Sequence, residues 1–315
     1  MSSIIEIQNL THRYGKLTAV NDVSLAIEEG TIFGFVGPNG AGKTTTMRIL
    51  STLLRPTSGD ARVCGCSVRE DPRGVRRQIG YMPDFFGVYN EMKVWEYLDF
   101  FGDCYDIPGK TRKGLIDDLL ELVELAHRRN DYVDSLSRGM KQRLCLARTL
   151  AHDPQVLILD EPASGLDPRA RIEIRELLRE LRAMGKTIFF SSHILLEVAE
   201  VCDSIGIIEA GQLIACGSLE EIQRHQQTRR LRIAVTGRGE EAEQILQSIP
   251  GVTQVQVASR TTRRCELEAD FVGDDALQTA ILARLMEAGM PILGFQEVRV
   301  ELEDVFMRIT KGIVS

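Results

Sequence analysis

The sequence predicts an α/β fold built around a P-loop, followed by a small α+β domain. The apolar run at 31–36 leads directly into Gly-Pro-Asn-Gly-Ala-Gly-Lys-Thr-Thr at 37–45, and a helix-forming stretch follows at 44–54. Farther along, between 231 and 300, alternating and helical patterns follow one another in the order βαββαβ. That order is typical of a ferredoxin-like arrangement, so we expect two domains of different architecture.

The loop at 37–45 matches G-x-x-x-x-G-K-[ST], which wraps the phosphates of a nucleoside triphosphate. Its glycines let backbone N–H groups approach phosphate oxygens, and the helix N-terminus adds a partial positive charge. We expect Lys43 to reach the β- and γ-phosphates and the Thr44 hydroxyl to bind Mg²⁺. The predicted nucleotide-binding residues of this loop are Gly37, Pro38, Asn39, Gly40, Ala41, Gly42, Lys43, Thr44 and Thr45.

A second apolar strand, at 155–159, ends in two carboxylates, Asp160 and Glu161. In phosphoryl transfer, one carboxylate of such a pair orders Mg²⁺ and its waters, and the other faces the attacking water. We therefore expect Asp160 to bind the metal and Glu161 to be catalytic.

Three more stretches accompany these motifs. Leu-Ser-Arg-Gly-Met-Lys-Gln at 136–142 precedes an amphipathic helix, Ser-Gly-Leu-Asp lies at 164–167, and Ser-Ser-His at 191–193 follows a third strand. In this order and at these separations the set resembles the ATP-binding cassette (ABC) ATPases, over about residues 4–220. In that family the three stretches are the signature, the D-loop and the H-loop, and the two motifs above are Walker A and Walker B.

The resemblance implies an ATPase that works as a head-to-tail pair of identical chains. ATP is then held between Lys43 and His193 of one chain and the signature of the other, where Ser137 and Gly139 contact the γ-phosphate. Asp167 is implied to touch across the interface. By the same resemblance Tyr14, in the turn between the first strands, would stack on adenine, and the alternative is an exposed turn tyrosine.

Two departures from the family pattern stand out. The signature reads Leu-Ser-Arg-Gly-Met where the family more usually has Leu-Ser-Gly-Gly-Gln, although Ser137 and Gly139 are retained. Asp84 stands where the family has a glutamine that senses Mg²⁺ and the attacking water. We expect Asp84 to take part in metal binding and catalysis. Its carboxylate either binds the metal more strongly or repels the γ-phosphate, and the sequence favours neither.

Composition limits the class of protein further. The 315 residues carry a net charge of −7 and no long basic run, which argues against a nucleic-acid partner. Seven cysteines, an odd number, suit a reducing cytosol better than a disulfide framework. No apolar stretch approaches the roughly 20 residues that cross a bilayer. We therefore expect a cytoplasmic protein, and the resemblance to transporter ATPases implies that it is peripheral on the inner face of the cell membrane.

The sequence divides into an ATPase domain at 1–222 and a C-terminal α+β domain at 228–315. In the first, short alternating strands predict an antiparallel β subdomain, and 88–151 predicts a helical subdomain. The second domain carries no catalytic cluster, so we expect it to provide dimer contacts or regulation. Its last segment, a predicted helix at 303–309, resembles the tail of ATPases from ABC-2-type exporters of drugs, lipids or ions.

Aromatic residues cluster where the helical subdomain begins. Phe85, Phe86, Tyr89 and Trp95 either pack inside it or line a groove that receives a helix from a membrane partner. The second interpretation fits ABC-2-type transmembrane permease subunits as partners.

The leading interpretation is the energy subunit of a membrane exporter, with ATP and Mg²⁺ as its cofactors. One alternative is a soluble ABC ATPase of DNA repair or translation, which usually needs a long coiled-coil insertion or two fused cassettes. Another is a nucleotide-binding regulator with weak turnover. The presence of Lys43, Asp160, Glu161 and His193 argues against the regulator, whereas Asp84 keeps it open.

Overall fold

The computed structural model describes residues 3–85, 87, 91–225, 228–261 and 264–298. The chain divides into two compact units, one at Met1–Ser218 and the other at Leu219–Ile309. In chain order, the elements of the first unit are β1 (Ser3–Tyr14), β2 (Leu17–Glu28), β3 (Ile32–Val36), α1 (Lys43–Leu50), β4 (Ser58–Val63), β5 (Cys66–Ser67), α2 (Pro72–Gln78), β6 (Ile79–Met82), α3 (Val94–Cys104), α4 (Gly109–Leu122), α5 (Arg138–Leu150), β7 (Val156–Leu159), α6 (Pro168–Ala183), β8 (Thr187–Ser192), α7 (Leu195–Val201), β9 (Ser204–Glu209) and β10 (Gln212–Gly217).

A six-stranded sheet forms the centre of the first unit, in the order β10-β9-β3-β8-β7-β6. Strands β9, β3, β8, β7 and β6 run parallel, and β10 adds an antiparallel edge. Every residue of β3, β7 and β8 is buried, as expected for central strands of a parallel sheet. Because these strands are parallel neighbours, the loops after their carboxyl ends lie side by side.

A second sheet, in the order β2-β1-β4-β5, is antiparallel, as predicted. The expectation of short strands is wrong here, since β1 and β2 are each 12 residues long. Register shifts interrupt their pairing, and Asn9 and Asp22 adopt positive φ angles of 48° and 55°. The Asn9 side-chain amide donates a hydrogen bond to Asp22 Oδ1 at 2.9 Å. Because of these irregularities, each strand continues past the point where a regular alternation of buried and exposed residues would have ended.

Helices α3, α4 and α5 form the helical part of the unit. Helix α3 begins at Val94, where the Lys93 N–H donates to Glu96 Oε2 at 2.8 Å and caps the helix. Arg112 joins α4 to α3 by donating to Asp99 Oδ1 at 2.8 Å.

The aromatic residues predicted near this subdomain have different environments. Phe85 is 83% exposed, so the interpretation that it packs inside the subdomain is wrong. Trp95 is half-buried, and the guanidinium of Arg129 lies 5.6 Å from its ring centroid. Phe86 and Tyr89 lie outside the described residues.

The second unit begins with α8 (Leu219–His225) and continues with β11 (Thr228–Val235), α9 (Gly239–Gln247), β12 (Val252–Arg260), β13 (Cys265–Val272), α10 (Asp275–Glu287) and β14 (Ile292–Val298). Its sheet has the order β12-β13-β11-β14 and is antiparallel throughout. The sequence of elements from β11 to β14 confirms the ferredoxin-like prediction. Its core is separate and includes Leu231, Phe271, Ile281 and Leu285. The helix predicted at 303–309 lies outside the described residues.

Candidate active site

Four of the predicted site segments meet at one edge of the parallel sheet. The P-loop follows β3, Asp84 follows β6, Asp160 follows β7 and His193 follows β8. The carboxyl ends of parallel strands are where open α/β sheets place their ligands. A cavity of about 560 Å³ lies at this edge, and its walls are Tyr14, Leu17, Ala19, Asn39, Gly40, Ala41, Gly42, Lys43, Thr44, Thr45, Asp84, Phe85, Arg138, Glu161, Ser164 and His193.

The P-loop is shaped by its last glycine. Gly42 precedes α1 with a φ of +107°, and a Cβ there would collide with the carbonyl oxygen of Ala19. Only glycine meets both conditions. The turn places Lys43 at the start of α1, where the side chain folds back into the loop.

Lys43 is buried, with 6% of its surface exposed. Its Nζ donates hydrogen bonds to the carbonyl oxygens of Gly37 at 2.6 Å and Pro38 at 3.2 Å, and lies 3.6 Å from Glu161 Oε1. Gly37 and Pro38 thus hold the lysine and do not line the cavity. Burial lowers the pKa of Lys43, and the charges of Glu161 and Asp160 oppose that shift. A partly desolvated ammonium of this kind gains from a polyanionic ligand.

Asp160 is fully buried at the end of β7. Its Oδ1 accepts a hydrogen bond from the Ser191 hydroxyl at 2.6 Å, whereas Oδ2 makes no hydrogen bond of ordinary geometry among the residues that the structure describes. Burial raises the pKa of Asp160, and the hydroxyls of Ser191 and Thr44 oppose this. A buried carboxylate oxygen without a donor is costly unless a cation satisfies it.

The donor set at this point suits Mg²⁺. Within the described residues, no group of three or more His, Cys, Asp and Glu side chains is positioned to hold a metal ion. Mg²⁺ commonly takes only one or two carboxylates from the protein and completes its shell with water and substrate phosphates. The Oδ2 of Asp160 and the Thr44 hydroxyl fit that mode, and Asp84 lies near enough for its charge to raise the pKa of Asp160.

Glu161 has an unusual backbone. Its φ is +52°, in the left-handed region that non-glycine residues seldom adopt, and such strain concentrates at functional sites. The N–H of Glu161 donates to Ser191 Oγ at 2.9 Å, and Oε2 lies 2.6 Å from His193 Nδ1. Gln142 secures the following turn by donating to the carbonyl oxygen of Pro162. The strand ends therefore hold Glu161 facing the cavity.

Tyr14 lines the same cavity as Asp84 and Glu161. The sequence suggested that Tyr14 is part of the turn, but it is the last residue of β1. Its ring is 44% exposed and packs edge-on against the buried His12, with ring centroids 4.6 Å apart. Leu17 and Ala19 from β2 complete an apolar wall beside it. Stacking of adenine on Tyr14 stays a prediction.

Three predicted nucleotide contacts lie elsewhere. Ser137, Gly139 and Asp167 line a second cavity of about 450 Å³ and not the first. Ser137 caps α5 by accepting the Met140 N–H at 3.3 Å. Asp167 caps α6 in the same way, accepting N–H groups at 3.0 Å. In a single chain these residues do not meet the P-loop.

Sequence reasoning missed several residues of the site. Ser191 was quoted only as part of a motif, yet its hydroxyl orients both Asp160 and the Glu161 backbone. Arg138 was noted only as a departure from the signature pattern, yet it lines both cavities. The place of Ser191 next to His193, on the strand beside Asp160, was a usable signal. Nothing in the sequence indicated that Arg138 reaches the first cavity.

Comparison with known proteins gives matches along the whole chain. Residues 20–164 match the family model described as ABC transporter, and residues 217–310 match the C-terminal domain of DrrA1-3-like ATP-binding proteins. The Nod factor export ATP-binding protein I of Ralstonia nicotianae is 34% identical over 308 residues, covering 98% of this chain and 94% of its own. The linearmycin resistance ATP-binding protein LnrL of Bacillus subtilis is 31% identical over 310 residues, covering 98% of each.

Solved structures also match a large part of this chain. A structure described as the ATP binding subunit of an ABC transporter superposes with a TM-score of 0.65 at 30% identity, covering 71% of this chain and 93% of that one. In the part of the chain that the structure describes, no helix combines the length and apolar character needed to span a bilayer.

Proposed function

This chain belongs to the ATP-binding proteins of the ABC transporters, and we propose that it is the ATPase of an ABC-2-type exporter. Hydrolysis of ATP is the activity of this family. The observation that carries the proposal is the convergence of Lys43, Asp160, Glu161 and His193 at one edge of the sheet. Two relatives that match nearly the whole chain are named for Nod factor export and for linearmycin resistance.

ATP would lie in the first cavity with its adenine against Tyr14 and its phosphates in the P-loop. The backbone from Asn39 to Thr45 would donate N–H groups to phosphate oxygens. Lys43 would turn from the carbonyl oxygens of the loop to the β- and γ-phosphates. Thr44, Asp160 and Asp84 would hold Mg²⁺, which supplies positive charge to the phosphates when it is bound.

The chain's own residues would then position the attacking water. Glu161 accepts a hydrogen bond from that water and orients or deprotonates it. His193, on the neighbouring strand, contacts the γ-phosphate and fixes the Glu161 carboxylate. Lys43 stabilises charge that develops on the phosphates. Little covalent chemistry is required of the protein, since phosphoryl transfer depends mainly on positioning and electrostatics.

The two cavities support a head-to-tail pair of identical chains. Ser137 and Gly139 lie apart from the P-loop of their own chain, so the signature is free to meet the γ-phosphate held by a second copy. Asp167 would contact that copy beside it. Closure on ATP and reopening after hydrolysis would drive the membrane partner.

We propose separate ABC-2-type transmembrane permease subunits as the membrane partners, which places this chain at the inner face of the cell membrane. Residues 1–222 would form the ATPase domain and 228–315 an accessory domain for dimer contact or regulation. The match of 217–310 to the C-terminal domain of DrrA1-3-like ATP-binding proteins supports a specialised role for that second domain.

Replacement of Glu161 by glutamine tests the proposal. The amide keeps the size of the side chain but cannot accept the proton, so Glu161→Gln should bind ATP and lose turnover by at least about 100-fold. With Mg²⁺ and ATP, the variant should elute as a dimer in size-exclusion chromatography. The parent should hydrolyse its ATP and return to the ADP-bound state. Hydrolysis at the parental rate would show that Glu161 has been assigned the wrong role.

A further inference from the structure

Arg138 is a cation of the signature that reaches the nucleotide cavity of its own chain. It is the first residue of α5 and lines the first cavity together with Lys43, Glu161, Ser164 and His193. In the proposed mode of binding, Glu161 and His193 face the terminal phosphate. The guanidinium of Arg138 therefore shares its cavity with the residues that would face the γ-phosphate.

The guanidinium of Arg138 lies against Gly165. A Cβ on Gly165 would lie 2.5 and 2.6 Å from the two terminal nitrogens of Arg138, closer than any real side chain permits. Gly165 also has a φ of +69°, which favours glycine. The absence of a side chain at Gly165 thus leaves the space in which the guanidinium sits.

The charge of Arg138 has no acidic partner among the residues that the structure describes. Other arginines of the second cavity are paired there: Arg128 with Asp131, and both Arg143 and Arg169 with Glu173. Planar guanidinium groups bind phosphate in a bidentate manner, so an arginine held at a nucleotide cavity without a carboxylate is suited to a phosphate ligand.

We propose that Arg138 binds the terminal phosphate of ATP held by its own P-loop and so favours ATP over ADP. The inference rests on the proposed function, because it needs ATP in the first cavity. The contact belongs to the single chain, before pairing brings Ser137 and Gly139 to the nucleotide of a second copy.

The test measures ATP and ADP affinity of Arg138→Gln by isothermal titration in EDTA, where metal-dependent turnover does not consume ATP. The protein is kept at a concentration where size-exclusion chromatography shows single chains. We expect ATP affinity to fall about 10-fold to 100-fold, as expected for loss of a charge-assisted phosphate contact, with ADP affinity changed less than about 2-fold. Arg76→Gln, which removes an exposed arginine of α2, is the charge control and should change neither.

A second variant tests the same contact without removing the arginine. Gly165→Ala would displace the guanidinium, so it should lower ATP affinity selectively, and combining it with Arg138→Gln should add little further loss. Gly185→Ala is the matched control, since Gly185 has a φ of +88° with open space where its Cβ would lie. It imposes left-handed strain without touching an arginine.

The outcomes separate the two proposals. If the parent binds neither nucleotide, the proposed function fails. If the parent binds both and Arg138→Gln weakens ATP and ADP equally, or neither, only the role of Arg138 is overturned. A loss seen solely at concentrations where two chains pair would also overturn it, because the guanidinium would then contact the nucleotide of the other copy.

Discussion

Glu161 and His193 are joined by a 2.6 Å contact between Oε2 and Nδ1, across the adjacent strands β7 and β8. The other carboxylate oxygen, Oε1, lies 3.6 Å from Lys43 Nζ. The Glu161 carboxylate therefore lies between two groups that the γ-phosphate would also attract. Binding of ATP would draw Lys43 to the phosphates. Glu161 could then accept a hydrogen bond from the attacking water, while His193 still fixes the carboxylate.

Replacement of His193 by alanine should affect turnover more than binding. The imidazole orients Glu161 and faces the terminal phosphate, so we expect His193→Ala to lower kcat by about 100-fold to 1,000-fold, as for loss of an electrostatic contact in the transition state. The ATP dissociation constant should change only a few-fold. Steady-state kinetics and equilibrium binding check both values. His193→Gln, which keeps a hydrogen-bond donor, should recover part of kcat, and equal damage to kcat and to binding would contradict this role.

Asp160 should make stability depend on pH in a defined direction. Burial raises its pKa in the folded state above the unfolded value, so its contribution to stability is fully present below the unfolded pKa and is lost as pH rises through the raised one. Each pKa unit corresponds to about 1.4 kcal/mol. In EDTA, the parent should thus lose free energy of unfolding relative to Asp160→Asn as the pH rises above about 4, the ordinary pKa of an aspartate.

Urea unfolding of both proteins across that pH range measures the difference. The same variant should lose the stabilisation by Mg²⁺ and ATP that the parent gains, since Oδ2 would no longer offer a charge to the metal. If the difference in free energy of unfolding between the two proteins stays constant with pH, burial does not raise the pKa of Asp160.

Asp84 is exposed at the cavity rim, and its carboxylate accepts the N–H of Phe85 at 2.8 Å. If it helps hold Mg²⁺, Asp84→Gln should shift the Mg²⁺ concentration for half-maximal ATPase activity by about 3-fold or more, because a full charge is lost near the metal. Asp84→Asn separates charge from length. Asp118→Asn, at an exposed position on α4, is the control, and all three variants matching the parent across Mg²⁺ and pH would refute the assignment.

Removal of the second unit should leave nucleotide binding intact. Every residue of the first cavity belongs to Met1–Ser218, and the second unit has a hydrophobic core of its own. A chain ending at residue 227 should therefore fold and bind ATP within about 3-fold of the parent, as expected for a domain with its own core. Circular dichroism and nucleotide titration test this. A folded truncation that binds no nucleotide would place the C-terminal domain in the site.

The same truncation carrying Glu161→Gln tests the role of the second unit. If the C-terminal domain provides dimer contacts, the ATP-dependent dimer should dissociate at a higher protein concentration than that of the full-length Glu161→Gln variant. Equal dimer stability in the two proteins would leave regulation as the proposed role of that domain.

Local sequence determined much of this protein. The P-loop, the strand ending in Asp160 and Glu161, and the βαββαβ order were all readable, because each depends on spacing within a short segment. The pairing of the two long strands was not readable, since positive φ angles at Asn9 and Asp22 carry β1 and β2 through their irregularities. Bulges of that kind interrupt the alternation from which strand length is inferred.

Tertiary structure alone decided which of these segments share a cavity. Strand order brings Ser191 beside Asp160, and the fold directs Lys43 towards the carbonyl oxygens of its own loop. The same fold separates Ser137 from the P-loop while letting the longer Arg138, its neighbour in sequence, reach that cavity. Sequence fixes residue types and local spacing, whereas distances between side chains far apart in the chain depend on strand order and packing, which no short segment encodes.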